Sequence, residues 1–362
     1  MKWNAIIGFA GLVMAAGVQA QSSVTMFGMM DAGVTFVSNQ GGKATAKFDD
    51  GVYIPNFFGL QGIEDIGGGT HVVFKLEDQF EVQNGSIISG QGLFGQYAYV
   101  GLENDRLGSI RLGEQYDFMP EALLFTGTDS VINGGGFYNY RNGPFDKLDI
   151  PDNATGALSW DRMNGVPIDN AVKYTSPVFA GGFTVGAMYG FGNVAGSFSS
   201  NSAYSFGLTW RSTSLSGGAA YTSQKYADTD AGDAQVRIVN WGAGVRYVFS
   251  EFGINGLFTT VKNEFNGAGI YEGQLGMTWQ PTPFWQLCMD YMYMKGNDEL
   301  NNNHAHQLTA TINYQLSKKT GVYAEAAWQR TNSGATAQIN GVFVPSGSPS
   351  QAIARIGMHT MF

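Results

Sequence analysis

Between residues 117 and 169 the chain carries eight carboxylates: Asp117, Glu121, Asp129, Asp146, Asp149, Asp152, Asp161 and Asp169. Interleaved with them are Gly134-Gly135-Gly136 and the aromatics Phe137, Tyr138 and Tyr140. Their spacing matches no metal loop and no acid–base pair. Fixed negative charge in a confined space can instead concentrate cations, because low-dielectric walls focus the field. The stretch has no strand pattern, and a loop of this length inside a compact domain is commonly a functional one. We expect it to fold inward and narrow a lumen; an outward, solvated loop is the alternative.

Other chemistry-bearing residues read more plainly. Asp228-Thr229-Asp230-Ala231-Gly232-Asp233 has part of a calcium-loop composition but lacks the later bidentate Glu. His304-Ala305-His306 puts two imidazoles on one strand face without a third ligand nearby, so no metal is expected. Asn153-Ala154-Thr155 matches a glycosylation pattern, discounted here. Gly190 to Gly196 misses the dinucleotide spacing, and no helix follows it. No serine sits in a nucleophile elbow, so neither catalysis nor a cofactor is expected. Cys288 is the only cysteine, which excludes an internal disulfide. The formal net charge is −9, an acidic balance that argues against nucleic acid.

The elements that would carry these residues are strands. Lys2, an apolar run from Ala5 to Val18 and small residues before Ala20 form an export signal over 1–20, cut between Ala20 and Gln21. No later stretch is apolar for eighteen residues, which excludes helical spans. From Gln21 onward the period is two. Tyr204, Phe206, Leu208 and Trp210 alternate with Ser205, Gly207 and Thr209. Leu275, Met277 and Trp279 alternate with Gln274, Gly276 and Thr278. Aromatics near strand ends, such as Trp210, Tyr247, Trp285, Tyr314 and Trp328, fit two membrane interfaces. Seven short breaks alternate with eight long ones, at 39–55, 83–92, 117–169, 193–201, 227–234, 262–268, 296–303 and 332–350. This predicts an all-β chain: one antiparallel transmembrane β-barrel of about sixteen strands over 21–362, with both termini on the short-turn side. Residues 117–169 are its third long loop.

The chain resembles the general diffusion porins of Gram-negative bacteria, especially the trimeric β-proteobacterial type. The resemblance rests on Gln21 to Gly28 with Asp31-Ala32-Gly33, on Gly59 to Gly69, on Tyr97-Ala98-Tyr99-Val100-Gly101-Leu102, on Val172 to Pro177 and on Phe362. It implies a homotrimer in the outer membrane, in contact with outer-membrane lipid and lipopolysaccharide. It also implies a third loop folded inside, passive diffusion of ions and small hydrophilic solutes, and Phe362 as a signal for the outer-membrane insertion machinery. The pattern also places a basic ladder where this chain has Phe57, Gln61, Gln96, Glu114 and Pro167.

Alternation directs Lys75, Arg111 and Lys173 to the lumen. The candidate pore-lining set is therefore Asp117, Glu121, Asp129, Phe137, Tyr138, Asp146, Asp149, Lys75, Arg111, Lys173, Phe57, Gln61 and Gln96. Because the loop carboxylates outnumber those three cations, the expectation is cation preference. Two alternatives stay open. One is a channel preferring aromatic or sugar-like solutes that stack on Phe57, Phe137 and Tyr138. The other is a barrel enzyme or adhesin acting through the outer loops.

Overall fold

A computed structural model describes residues 23–88, 92–153, 156–227 and 235–362. The proposed cleavage site at Ala20 and Gln21, the Asp228–Asp233 segment, and Ala154 and Thr155 lie outside these residues. Among the described residues seventeen strands form one sheet. The first four are β1 (Ser23–Gln40), β2 (Lys43–Asp50), β3 (Phe57–Gly67) and β4 (Thr70–Gln79). Next come β5 (Tyr97–Asn104), β6 (Gly108–Tyr116), β7 (Pro167–Thr175), β8 (Phe183–Gly190) and β9 (Ala203–Arg211). They are followed by β10 (Leu215–Ala227), β11 (Gln235–Phe249), β12 (Phe252–Asn263) and β13 (Gly269–Thr282). The last four are β14 (Trp285–Gly296), β15 (His304–Gln315), β16 (Thr320–Thr331) and β17 (Ser350–Met361). Neighbours pair antiparallel, and β1 closes the barrel against β17 from Met29↔Met361 to Val37↔Ile353. Closure removes the free edges that lipid cannot hydrate.

The barrel has sixteen strands, and the seventeenth is an extension. β1 has 18 residues, well beyond the roughly 9–11 that cross a bilayer. Its lower half pairs with β3 (Ser23↔Ile63) and its upper half with β2 (Ala32↔Asp50). Thus the break expected at 39–55 is a tight turn at Gly41-Gly42, a strand, and a short excursion at 51–56. The reading missed β2 because its lipid-side face is weak: only Ala44, Ala46 and Phe48 alternate with Lys43, Thr45 and Lys47. The excursion turns inward at Gly51 (φ 66°) and is tied down by Asp31, whose carboxylate accepts from Val52 N at 2.6 Å and Tyr53 N at 3.2 Å.

Alternation sorts the wall as the period of two requires. Leu275 and Ile356 point outward and are largely exposed, while Ser205, Thr222, Asn240, Gln274, Gln307 and Gln329 point inward and are buried. The short turn after β3 uses Gly67, Gly68 and Gly69, all at positive φ, a conformation that costs other residues a clash. At the closure seam Arg355 donates to Thr35 Oγ1 (2.9 Å), Asp31 Oδ2 (3.1 Å) and Tyr323 OH (2.6 Å).

Phe362 lies on the seam's lower end. Its N–H donates to Gly28 O at 3.1 Å, and its ring occupies the space a Cβ on Gly28 would need, 2.3 Å away. Phe362→Ala removes this ring from the β1–β17 joint. The expected result is a smaller folded, heat-modifiable band on gels, and an unchanged yield would count against a role in insertion.

Candidate constriction site

The 117–166 connection enters the lumen and follows the inner wall. Phe118 N donates to Ser205 Oγ on β9 (3.0 Å), and Asn255 Nδ2 on β12 donates to Thr128 O (3.0 Å). Gln286 Nε2 on β14 reaches Asn133 O (2.8 Å), Gln307 Nε2 on β15 reaches Tyr138 O (2.8 Å), and Gln329 Nε2 on β16 reaches Asn142 O (3.0 Å). The chain then doubles back, and Arg162 N donates to Asn240 Oδ1 on β11 at 2.8 Å. A row of inward amides thus satisfies loop carbonyls that burial would otherwise leave unpaired. Beneath them Met119, Ala122, Leu123 and Met163 form an apolar cluster with Ile168, Met188 and Ala203 of the wall.

Three of the loop's carboxylates are spent inside the loop. Arg162 bonds the Asp117 carboxylate, which also accepts from Met119 N (2.8 Å). Arg141 bonds Asp129, and its Nε lies 3.5 Å from Asp161 Oδ2 and 3.7 Å from Glu272 Oε2 on β13. Arg141 and its three partners have no exposed side-chain surface. Burial pushes the Asp161 carboxyl up, and Arg141 opposes that shift. Asp117 and Asp129 are therefore not pore-lining, contrary to the sequence expectation, because a buried carboxylate needs a cation and hydrogen bonds before it needs an ion path. Tyr138 is also buried, with its hydroxyl bonded to Thr35 and Asp49, and offers no stacking face. Asp146 and Asp149 are exposed but lie at the long-loop end, where Asn263 Nδ2 donates to Leu148 O at 3.0 Å.

The opposite wall holds the expected cations, each with a carboxylate. Lys75 sits 2.8 Å from Glu77 and 3.9 Å above the Tyr97 ring. Arg111 is 2.7 Å from Glu103, over Tyr99. Lys173 is buried, paired with Glu121 of the loop and donating to Tyr116 O at 2.7 Å. Lys75 and Arg111 keep 22% and 28% of their side-chain surface exposed, so they can meet a solute where Lys173 cannot. Gln61 is exposed beside Lys75 in register, and Phe57 packs 6.1 Å from Phe27. Gln96 is buried and accepts from the Tyr116 hydroxyl. Glu114 pairs with Ala98 on the outward face and takes no part in the lumen.

Above these pairs, a cavity of about 530 Å³ lies between loop and wall, lined among others by Gln79, Phe137, Tyr140, Trp160 and Tyr226. Two further segments enter the lumen. The 51–56 excursion meets the loop where Phe137 N donates to Val52 O. In the last connection, 332–349, Ala337, Ile339 and Val342 are fully buried and Asn340 Nδ2 donates to Phe137 O at 3.0 Å. The sequence signal for this was the apolar alternation of Ala335, Ala337 and Ile339, in a connection expected to lie outside. The roles of Arg141 and Arg162 were likewise missed.

Comparison with known proteins gives a consistent assignment. A family model described as Gram-negative porin matches residues 7–334. The chain is 27% identical to outer membrane porin protein 32 of Delftia acidovorans, over 99% of both chains. It is 24% identical to major outer membrane protein P.IB of Neisseria gonorrhoeae, over 88% of this chain and 91% of that one. Among solved structures it resembles an anion-selective porin from Comamonas acidovorans, with TM-score 0.77 and 24% identity, covering 94% of this chain and all of the other.

Proposed function

The chain belongs to the Gram-negative porin family, and from that premise we propose that it is a passive diffusion channel for ions and small hydrophilic solutes, with a nearly charge-balanced constriction. It is an outer-membrane β-barrel, and its relatives are channels rather than enzymes. We further propose export with cleavage after Ala20 and assembly as a homotrimer, which chemical cross-linking tests. The observation that carries the channel reading is a closed barrel with a polar inner face, narrowed by the 117–166 loop yet keeping Gln61, Lys75 and Arg111 accessible. Steady ionic current in a planar bilayer and uptake of small sugars by proteoliposomes are the expected results. Absence of both would sink the reading.

Selectivity follows from pairing rather than counting. The cation preference expected from the loop carboxylates loses its ground once Asp117, Asp129 and Asp161 are seen to be held by Arg162 and Arg141. An adjacent opposite charge turns each carboxylate into half of a dipole, whose field falls off faster than that of a lone charge, and salt screens the remainder over ~10 Å at 0.1 M. Weak selectivity is therefore the proposal, with a reversal potential near zero in a KCl gradient. The relative named as anion-selective suggests the direction of any residual bias. Arg211 and Arg246 face the lumen at the short-turn end, and neither makes an ion pair among the described residues. Glu77→Gln with Glu103→Gln should unmask Lys75 and Arg111 and move the reversal potential toward anions, more at low salt. An unshifted potential would show that the ion path avoids these pairs.

A further inference from the structure

The wall facing the 117–166 loop repeats one arrangement twice: an aromatic ring, a cation over it and a carboxylate beside the cation. The upper unit is Tyr97, Lys75 and Glu77, with the ammonium 3.9 Å above the ring and 2.8 Å from the carboxylate. The lower unit is Tyr99, Arg111 and Glu103, at 5.1 Å and 2.7 Å. The register stacks the two along the pore. Glu77 is opposite Tyr97, Lys75 is opposite Tyr99, and Arg111 is opposite Gly101. From Tyr97 to Glu103, β5 runs roughly 20 Å at about 3.4 Å per residue. Thr25 and Gln61, both exposed, continue the Lys75 level across β1 and β3. Glycines keep this face shallow. The Phe27 ring fills the space over Gly59, where a Cβ would lie 2.7 Å from it, and the Arg111 stem does the same over Gly101 at 2.9 Å.

Each pair is weak at a distance but polar at contact. An ammonium or guanidinium carries more N–H donors than one contact uses, and a carboxylate more lone pairs. Among the described residues neither Lys75 nor Arg111 has a second side-chain partner for a hydrogen bond. Free donors and free acceptors therefore stand side by side. A hydroxyl matches that pattern, because it donates and accepts at once. An ion does not, since with either sign it meets a like charge beside the opposite one. The apolar part of the same face suits a ring. Phe27 and Phe57 are half-buried 6.1 Å apart, Phe27 lies 5.4 Å from Lys75 Nζ, and Tyr99 is half-buried below them. On the loop side Phe125 stays 43% exposed, 6.5 Å from the Tyr116 ring. Hydroxyls around an edge and C–H groups across a face are the two surfaces of a pyranose sugar.

We infer that this wall binds uncharged cyclic polyols, that is mono- and disaccharides, with ring faces on Phe27 and Tyr99 and hydroxyls on the two ion pairs. The inference rests on the channel reading and adds saturable binding to passage. Glucose and maltose are the probes, mannitol is a linear polyol without a ring face, and glucuronate is a charged ring. The full chain is reconstituted in a planar bilayer, its folding checked by heat-modifiable mobility. Glucose and maltose should lower the ionic current saturably. Mannitol should lower it only in proportion to its concentration, and glucuronate should bind more weakly than glucose. Phe27→Ala and Tyr99→Ala should each weaken maltose binding roughly fivefold, taking a sugar face on a ring as comparable to an aromatic pair. Tyr99→Phe should keep most of the affinity. Phe343→Ala, in the cavity above, should change nothing. Saturation-transfer NMR of maltose with the chain in detergent reads the same contact without a current. Transfer to the sugar in the absence of any current would sink the channel reading and leave the binding wall standing. Absence of transfer, equal and linear responses to maltose and mannitol, tighter binding of glucuronate than of glucose, or equal loss in Phe343→Ala would each overturn the inference.

Discussion

Arg141→Met is expected to release the 117–166 loop from the wall. Methionine fits the space and keeps the apolar contacts, so the change isolates the charge. Asp129, Asp161 and Glu272 would then share a buried site with no paired cation. Breaking a buried ion pair by removing one partner costs about 3–5 kcal/mol, because the remaining charge is left uncompensated. The barrel hydrogen bonds do not pass through this site, so the loss falls on loop docking. Single-channel recordings should show frequent flicker in place of a steady level, and proteolysis should cut within the loop. The pH dependence has a definite sign. Burial already raises the Asp161 carboxyl, and without Arg141 it rises further. A carboxyl whose folded pKa lies above its unfolded value binds protons more tightly when docked. Docking should therefore recover as pH falls through that raised value, and flicker should subside in acid. A quiet, protease-resistant channel at neutral pH would show that the amide row, not Arg141, holds the loop.

This latch shows which part of the protein was legible in the sequence. Alternation on β9, β13, β15 and β16 requires only the period of two, a local property, and the barrel follows from it. The inward loop was legible from its length and composition. The destination of its charges was not. Counting carboxylates between 117 and 169 gave an acidic pore, but Arg141 and Arg162 lie in the same stretch and consume Asp129, Asp161 and Asp117. Asp117 meets a partner 45 residues away, and Glu272 belongs to another strand. Pairing over such distances is fixed by the packed loop and carries no spacing rule. β2 escaped for the opposite reason. Its outward face holds only Ala44, Ala46 and Phe48, two of them the smallest of apolar side chains, so its alternation is faint.

Weakening the last connection should have the second large effect, on pore size. Residues 338–342 hang into the lumen from two side chains of the wall. Gln338 N donates to Gln329 Oε1 at 2.8 Å, and Ile339 N donates to Gln351 Oε1 at 2.7 Å. Below these anchors Ile339 and Val342 pack against Val37, Val52, Tyr138 and Ile353, while Asn340 holds the Phe137 carbonyl. Truncating a fully buried Ile to Ala costs roughly 2–5 kcal/mol. A loop segment docked by few contacts has little more than that to lose, since stability is unevenly distributed and connections occupy its low end. Ile339→Ala should therefore let the segment swing out for an appreciable fraction of time and give a second, higher conductance level. Replacing 338–345 by a Gly-Ser linker should make the higher level permanent. The strands that flank the segment, β16 and β17, keep their own ladder from Thr320↔Thr360 to Arg330↔Ser350, so the barrel should fold in both variants. A single conductance level equal to that of the unaltered protein would mean that the narrowest point lies lower, between Tyr116, Glu121 and the Lys75–Arg111 wall, and that the last connection only covers it.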